Sequence, residues 1–169
     1  MHLDFKQRLT MSIRVGNGYD VHLLADGLPF FLGGIKIEHI KGCVAHSDGD
    51  TLIHALCDAM LGALALGDIG KHFPDTDPTY KGVDSLKLAQ HVSWLLTKQG
   101  YCIGNIDATV IAQAPKLAPH IPAMKQNLAC ALGCDPNRIN IKATTEERLG
   151  FTGEGLGIAA HAVCLIERI

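Results

Sequence analysis

Excess positive charge is missing from this chain: Lys and Arg total 15 against 17 Asp and Glu, a formal net charge of -2 at pH 7. Without a broad basic face to neutralise a phosphate backbone, the sequence argues against nucleic acid as a partner. Aromatic residues make up only 5%, so stacking platforms for bases are scarce as well. Long apolar runs are also lacking. The longest stretch free of Asp, Glu, Lys and Arg, Gly155 to Ile166, falls well short of the ~20 apolar residues that a membrane-spanning helix needs. Met1 to Met11 carries Asp4, Lys6 and Arg8 but no apolar centre, which argues against a secretory signal. Residues 1–11 read as a disordered leader, with Met11 as an alternative start, ahead of a single domain over 12–169. There is no CxxC pair among Cys43, Cys57, Cys102, Cys130, Cys134 and Cys164, which sit mostly among apolar residues. That usage predicts free buried thiols in a reducing cytoplasm. Three common catalytic signatures are absent too. The chain has no GxxxxGK[ST] and no GxSxG, and Gly16 to Val21 fails the dinucleotide GxGxxG at its last position.

The apolar pattern predicts helices alternating with strands. Ile13 to Val15 opens a strand running into a turn at Gly16-Asn17-Gly18, and Phe30 to Ile37 is a second extended stretch around Gly33-Gly34. From Ser47, a candidate cap, apolar residues recur at helical spacing through Ile53, Leu56, Cys57, Met60, Leu61 and Leu64, with an end near Gly67. Gly67 to Gly82, rich in Gly, Pro and Asp, reads as an exposed loop long enough to be functional. Leu86 to Gln99 is the second helix, stopped by Gly100, and a third built on Ile121, Met124, Leu128 and Leu132 is closed by Gly133. Strands are predicted at Ile106 to Ile111, around Ile139, Ile141 and Ala143, and at Ile158 to Ile166. The expected fold is α/β (α+β): a single-layer mixed β-sheet with helices packed on one face. The bare opposite face predicts oligomerisation through it.

Asp20 and His22 are two apart, so in extended backbone they point the same way. In the helix that follows, Asp50, His54 and Asp58 recur every four residues and form one polar row. Asp20, His22 and His54 make a carboxylate and two imidazoles, a set suited to Zn²⁺ with a fourth position open. Asp58 or Asp50 could orient a metal-bound imidazole from behind. Taken alone, a D-x-H pair or one helical His is ordinary. Further on, Gly67 to Lys71 and Phe73 to Asp77 offer carboxylates for hydroxyl groups or plain turn chemistry. Ala112 to Lys116 offers backbone N–H groups or a plain proline turn. Lys142 to Glu147 offers two hydroxyls and two acids for phosphate and a hard cation, or a helix cap.

Taken in order, G-x-G-Y-D-V-H at Gly16 to His22, A-H-S-D-G-D at Ala45 to Asp50, G-D-I-G-K at Gly67 to Lys71, F-P-D-T-D at Phe73 to Asp77, A-Q-A-P-K at Ala112 to Lys116 and K-A-T-T-E-E at Lys142 to Glu147 resemble the 2-C-methyl-D-erythritol 2,4-cyclodiphosphate synthase family. The resemblance implies a homotrimer with active sites between neighbouring subunits. It implies a reaction of the non-mevalonate isoprenoid pathway, in which the 2-phosphate of 4-diphosphocytidyl-2-C-methyl-D-erythritol 2-phosphate attacks the β-phosphate of the same molecule and CMP leaves. Carried over by residue, Asp20, His22 and His54 match zinc ligands, and Glu147 matches the ligand of a Mg²⁺ or Mn²⁺ ion. His46 and Thr145 match transition-state stabilisers. Ser47, Asp68, Ile69, Gly70, Phe73, Pro74, Asp75, Thr76 and Asp77 match the methylerythritol side of the substrate, and Asp20, Val21, His22 and His46 also count as substrate-binding. Ala112, Gln113, Ala114, Pro115, Lys116, Leu117, Ala118 and Thr144 match the cytidine diphosphate side, and Thr145, Glu146, Glu147 and Phe151 are further substrate-binding positions. The chain departs from the family at Glu154, where Arg is frequent, and at Leu156, where an acid is common; this puts phosphate binding in a central trimer channel in doubt. Two other readings fit the same residues: a metal-dependent phosphohydrolase and a trimeric isoprenoid-diphosphate binding module.

Overall fold

The computed structural model describes residues 13–169; the expected leader over 1–11 lies outside the described residues. Strand β1 (Ile13–Asp26) runs straight through Gly16-Asn17-Gly18 without turning. The glycines serve a different purpose from the expected turn: a Cβ at Gly16 would lie 1.8 Å from the Ala59 carbonyl oxygen, and one at Gly18 1.8 Å from that of Ala55. Helix α1 (Thr51–Ala63) therefore rests backbone-on-backbone against β1, a spacing that only glycine permits.

Hairpin β2 (Phe30–Leu32) and β3 (Ile35–Ile37) turns at Gly33-Gly34, both at positive φ (61° and 72°), as a two-residue hairpin loop requires. A short β4 (Lys41–Cys43), not anticipated from the pattern, pairs antiparallel with β1. After α1 come α2 (Ile69–His72), a 3₁₀ turn at Pro78–Tyr80 and α3 (Ser85–Lys98). Then β5 (Tyr101–Ile111), α4 (Ile121–Leu132), β6 (Ile139–Thr144), α5 (Gly150–Gly153) and β7 (Gly157–Arg168) complete the chain. Gly133 ends α4 in the left-handed conformation (φ 66°), the expected C-terminal stop.

The main sheet has the order β4-β1-β7-β5-β6. Only β5 and β6 pair in parallel; β7 pairs antiparallel with both β1 and β5. The sheet is therefore mixed, as expected. One face is dry: Ile158, Ala160, Ala162, Cys164 and Ile166 of β7 alternate inward toward a core shared with α1. On α1 itself Leu52, Ile53, Leu56, Met60 and Leu61 are fully buried, each contributing roughly 2 kcal/mol. The other face keeps Val15, Tyr19, Val21, Leu23 and Val163 exposed. Among the thiols, Cys43, Cys57 and Cys164 are buried, and burial pushes Cys43 and Cys164 up to about 12. The expectation of buried thiols fails for Cys102 and Cys130, which are exposed because neighbours in an amphipathic strand or helix do not share one face.

Candidate active site

Helix α1 begins at Asp50 rather than Ser47. Asp50, fully buried, accepts from Ile53 N–H (3.0 Å) and from Gly34 N–H in the hairpin turn (2.7 Å), so one carboxylate caps the helix and ties it to β2–β3. Burial holds its carboxyl above the ordinary aspartate range, partly offset by these N–H donors. One turn further, His54 faces the same side of the sheet as Asp20 and His22 of β1. The Nδ1 of His54 lies 3.2 Å from Asp20 Oδ2, and that of His22 lies 3.5 Å from the same oxygen. These three side chains can each offer a ligand atom, all within 4.8 Å of one another, the only such group among the described residues.

The triad fits a metal ion. His22 Nδ1–H donates to the Val21 carbonyl at 2.7 Å, which leaves Nε2 with its lone pair, buried and without any hydrogen-bond partner. A buried orphan of this kind calls for a ligand. The donor set of one carboxylate and two imidazoles with an open side suits a catalytic rather than a closed site. Burial pulls the pKa of His54 down, but the hydrogen bond and charge of Asp20 outweigh it and the net shift is upward.

Behind His54 the structure departs from expectation. Asp58 accepts a hydrogen bond from Ile69 N–H (2.7 Å), holding the start of α2. The half-buried carboxyl is raised by burial, and this N–H partly offsets the rise. The hydrogen-bond partners of His54 Nε2 are instead Ser85 Oγ at 2.9 Å and Ser47 Oγ at 3.1 Å. Ser85 carries no distinguishing signal in the sequence, because an Asp-Ser pair at a helix start serves equally as ordinary capping.

The triad opens into a cavity of about 290 Å³ lined also by His46, Ser47, Ile69, Gly70, Phe73 and Asp75. Val44, Ala45, Tyr80, Val83 and Leu88 complete its wall, residues without a polar signature that would mark them in sequence. His46 Nε2 approaches the Asp77 carbonyl (3.4 Å). Phe73 is buried, packing edge-on against Tyr80 and His91, so the expected loop is partly core. Asp68 caps α2 and Asp77 caps the 3₁₀ turn; the Thr79 N–H holds Asp77 below the usual carboxylate range. Val21 brings only its backbone near, since strand alternation turns its side chain to the open face.

The remaining candidates gather elsewhere. Ala112, Gln113, Pro115, Lys116, Leu117, Ala118, Thr144 and Thr145 line a separate cavity of about 300 Å³ at the ends of β5 and β6. Ala114, Glu146, Glu147 and Phe151 are not in its wall. Thr145 Oγ1 donates to Glu147 Oε1 (2.9 Å), and the Gln113 side chain accepts from Arg148 N–H (3.3 Å). Glu146 turns inward to accept from the buried Thr152 hydroxyl. Glu147 and Arg148 both hold positive φ (51° and 67°), a strained pair of the kind concentrated at functional turns. Since β7 and β5 stand between β1 and β6, the two groups are about 14 Å apart by strand spacing.

Fold and site together define a mixed α/β protein with a metal-type Asp-His-His cluster in one cavity and the Ala112–Ala118 and Thr144–Thr145 segments at another. The model of the YgbB family matches residues 13–167, and the chain belongs to that family. It is 64% identical over 156 residues to a protein of Thioalkalivibrio sulfidiphilus, covering 92% of this chain and 98% of the relative. It is 60% identical over 154 residues to one of Trichlorobacter lovleyi, covering 91% and 98%. Both relatives are named 2-C-methyl-D-erythritol 2,4-cyclodiphosphate synthase. Among solved structures, the IspF of Plasmodium falciparum in a CDP complex superposes with a TM-score of 0.82 at 35% identity, covering 93% of this chain and 97% of that one. No helix of the described residues is long and apolar enough to cross a membrane.

Proposed function

We propose that this chain is a phosphorus–oxygen lyase that cyclises 4-diphosphocytidyl-2-C-methyl-D-erythritol 2-phosphate. An oxygen of the 2-phosphate forms a bond to the β-phosphorus, the bond from that phosphorus to the oxygen shared with the α-phosphate breaks, and CMP leaves with that oxygen. The observation that carries this reading is the buried, unpartnered His22 Nε2 beside Asp20 and His54 at the mouth of a polar cavity. It sits in a chain about 60% identical to named cyclodiphosphate synthases. Zn²⁺ is the ion this donor set suits, and when bound it supplies Lewis-acid polarisation of a phosphoryl oxygen.

The chain's own residues position and neutralise, which is most of what phosphoryl transfer asks of a protein. His46 and Ser47 line the same cavity as the triad, where the His46 imidazole can donate to charge developing on phosphate. Asp75 and the backbone of Ile69-Gly70 face the methylerythritol hydroxyls. At and beside the other cavity, Ala112 to Ala118 would present backbone groups to a cytosine edge, the Thr145 hydroxyl would turn from Glu147 to donate to phosphate oxygen, and the Glu147 carboxylate so released would hold Mg²⁺ or Mn²⁺.

One substrate needs both groups, yet within one chain they lie in different cavities. The separation supports a homotrimer in which the triad of one subunit meets the Ala112–Ala118 and Thr144–Glu147 segments of its neighbour. The exposed Val15, Tyr19, Val21, Leu23 and Val163 on the open sheet face supply an apolar surface for that association.

The test is incubation of purified protein with the cytidine substrate and identification of both products, alongside sedimentation. CMP with the cyclic diphosphate is the expected outcome. CMP with an open-chain diphosphate would make the protein a phosphohydrolase, and binding without turnover would make it a sensor.

A further inference from the structure

Ser85 is fully buried at the start of α3, between His54 and Asp48. Its hydroxyl oxygen lies 2.5 Å from Asp48 Oδ1 and 2.9 Å from His54 Nε2, and its backbone N–H donates to Asp48 Oδ2 at 2.9 Å. Asp48 Oδ1 also accepts from Asp50 N–H at 3.2 Å. A serine hydroxyl has one proton. With a carboxylate at the shorter distance, already filled with donors and able only to accept, that proton goes to Asp48. The oxygen is then left to accept from His54 Nε2, so Nε2 carries the hydrogen and Nδ1 keeps its lone pair. That Nδ1 faces Asp20 Oδ2 at 3.2 Å, and two acceptors so close need a cation between them: a proton, which makes the hydrogen bond to Asp20 in the metal-free chain, or a metal ion that replaces it.

We infer that Ser85, held by Asp48, is a positioning residue for the metal centre: the directed chain Asp48–Ser85–His54 fixes which imidazole nitrogen is offered to the ion. His22 reaches the same end by a different route, with Nδ1–H on the Val21 carbonyl and Nε2 left free. Ser47 cannot substitute for Ser85. Its oxygen is 3.1 Å from His54 Nε2 and accepts from Gly49 N–H at 3.2 Å, but no carboxylate claims its proton, so it accommodates either tautomer. Such outer partners commonly change metal affinity by about 10- to 100-fold. The inference rests on the reading of Asp20, His22 and His54 as a metal site.

The experiment measures Zn²⁺ affinity by competition with a chromogenic chelator in the wild type, Ser85→Ala, Ser85→Thr and Asp48→Asn. It adds the exchangeable imidazole proton signals of the zinc-loaded, ¹⁵N-histidine-labelled proteins. Ser85→Ala is expected to weaken Zn²⁺ binding by about 10-fold or more and to move or lose the Nε2–H resonance of His54, while Ser85→Thr keeps both. Asp48→Asn changes no volume and carries the test if Ser85→Ala does not fold. Its amide can donate to Ser85 and reverse the chain, so binding weakens again. Unchanged Zn²⁺ affinity and an unchanged Nε2–H signal in Ser85→Ala, or in Asp48→Asn in its place, would overturn the inference. A wild type that binds no Zn²⁺ would overturn the metal-site reading itself.

Discussion

Around Asp20, His22 and His54 almost every polar group is accounted for and shielded. Asp50 is buried with two N–H donors, Asp48 is filled by Ser85 and Asp50, and the helix beneath rests on Gly16 and Gly18 at backbone contact. At Thr144 to Arg148 the residues are exposed, the backbone takes two successive positive φ values, and the acids bond their own neighbours. The contrast teaches how labour is divided in the proposed site. A cluster that must offer lone pairs in fixed directions needs low mobility and a dry surround. A rim that receives a mobile nucleotide from another subunit's side needs exposed donors and a turn held in a strained conformation.

The comparison is broken most severely by removing a member of the cluster. His54→Ala is expected to lose tight Zn²⁺ binding and to lower turnover by roughly 1,000-fold or more, because it deletes one of only three protein ligands. Metal analysis of the dialysed protein and CMP release check this, and stoichiometric zinc with normal turnover would contradict the assignment. On the rim the expected effect is smaller. Thr145→Ala should lower kcat by roughly 10- to 1,000-fold, with a modest change in KM and full zinc retention, as for a donor aimed at transition-state charge. Lost affinity at unchanged kcat would make Thr145 a ground-state contact.

Combining the two variants asks whether the regions belong to one site. Subunits of His54→Ala, expected to be inactive, and of Thr145→Ala, expected to be slowed about 10-fold or more, are co-expressed in equal amounts. If every site joins one subunit's cluster to its neighbour's rim, about a quarter of the sites regain both intact halves. Recovery of that fraction of the wild-type rate is expected; no recovery would place both halves within one chain.

The smallest effect is on pH-dependent stability, and its sign is the readout. Burial raises the Asp50 carboxyl in the folded chain above its value in the unfolded chain. The folded state therefore binds this proton more tightly. The destabilisation from burying the charge is present above the folded pKa and relieved as pH falls through it. Asp50→Asn removes that titration. In denaturant unfolding followed from neutral to mildly acidic pH, the wild type should gain stability relative to Asp50→Asn as pH falls.

Much of this could be read from residue order alone. Period-3.6 apolar spacing marks α1, α3 and α4, alternation marks β6, apolar runs mark β7 and the second half of β5, and the i, i+2 rule places Asp20 and His22 on one side. These are local properties, determined by a few neighbouring residues. The glycines at 16 and 18 misled because sequence shows permission to turn and permission for close packing as the same residue. It took helix α1 lying across β1 to decide between them. Asp58 misled in a similar way: helical spacing put it one turn from His54, but α2 folding back took its hydrogen bond. Ser85, 31 residues beyond His54, became its partner only because α3 packs beside α1. The sequence by itself determined the three long helices, the apolar strands β5 to β7 and the metal-type ligand set. Tertiary structure alone decided which side chains complete one another's hydrogen bonds and that the triad and the Ala112–Ala118 segment line separate cavities. Such pairings depend on contacts between segments far apart in the chain, where local spacing carries no information.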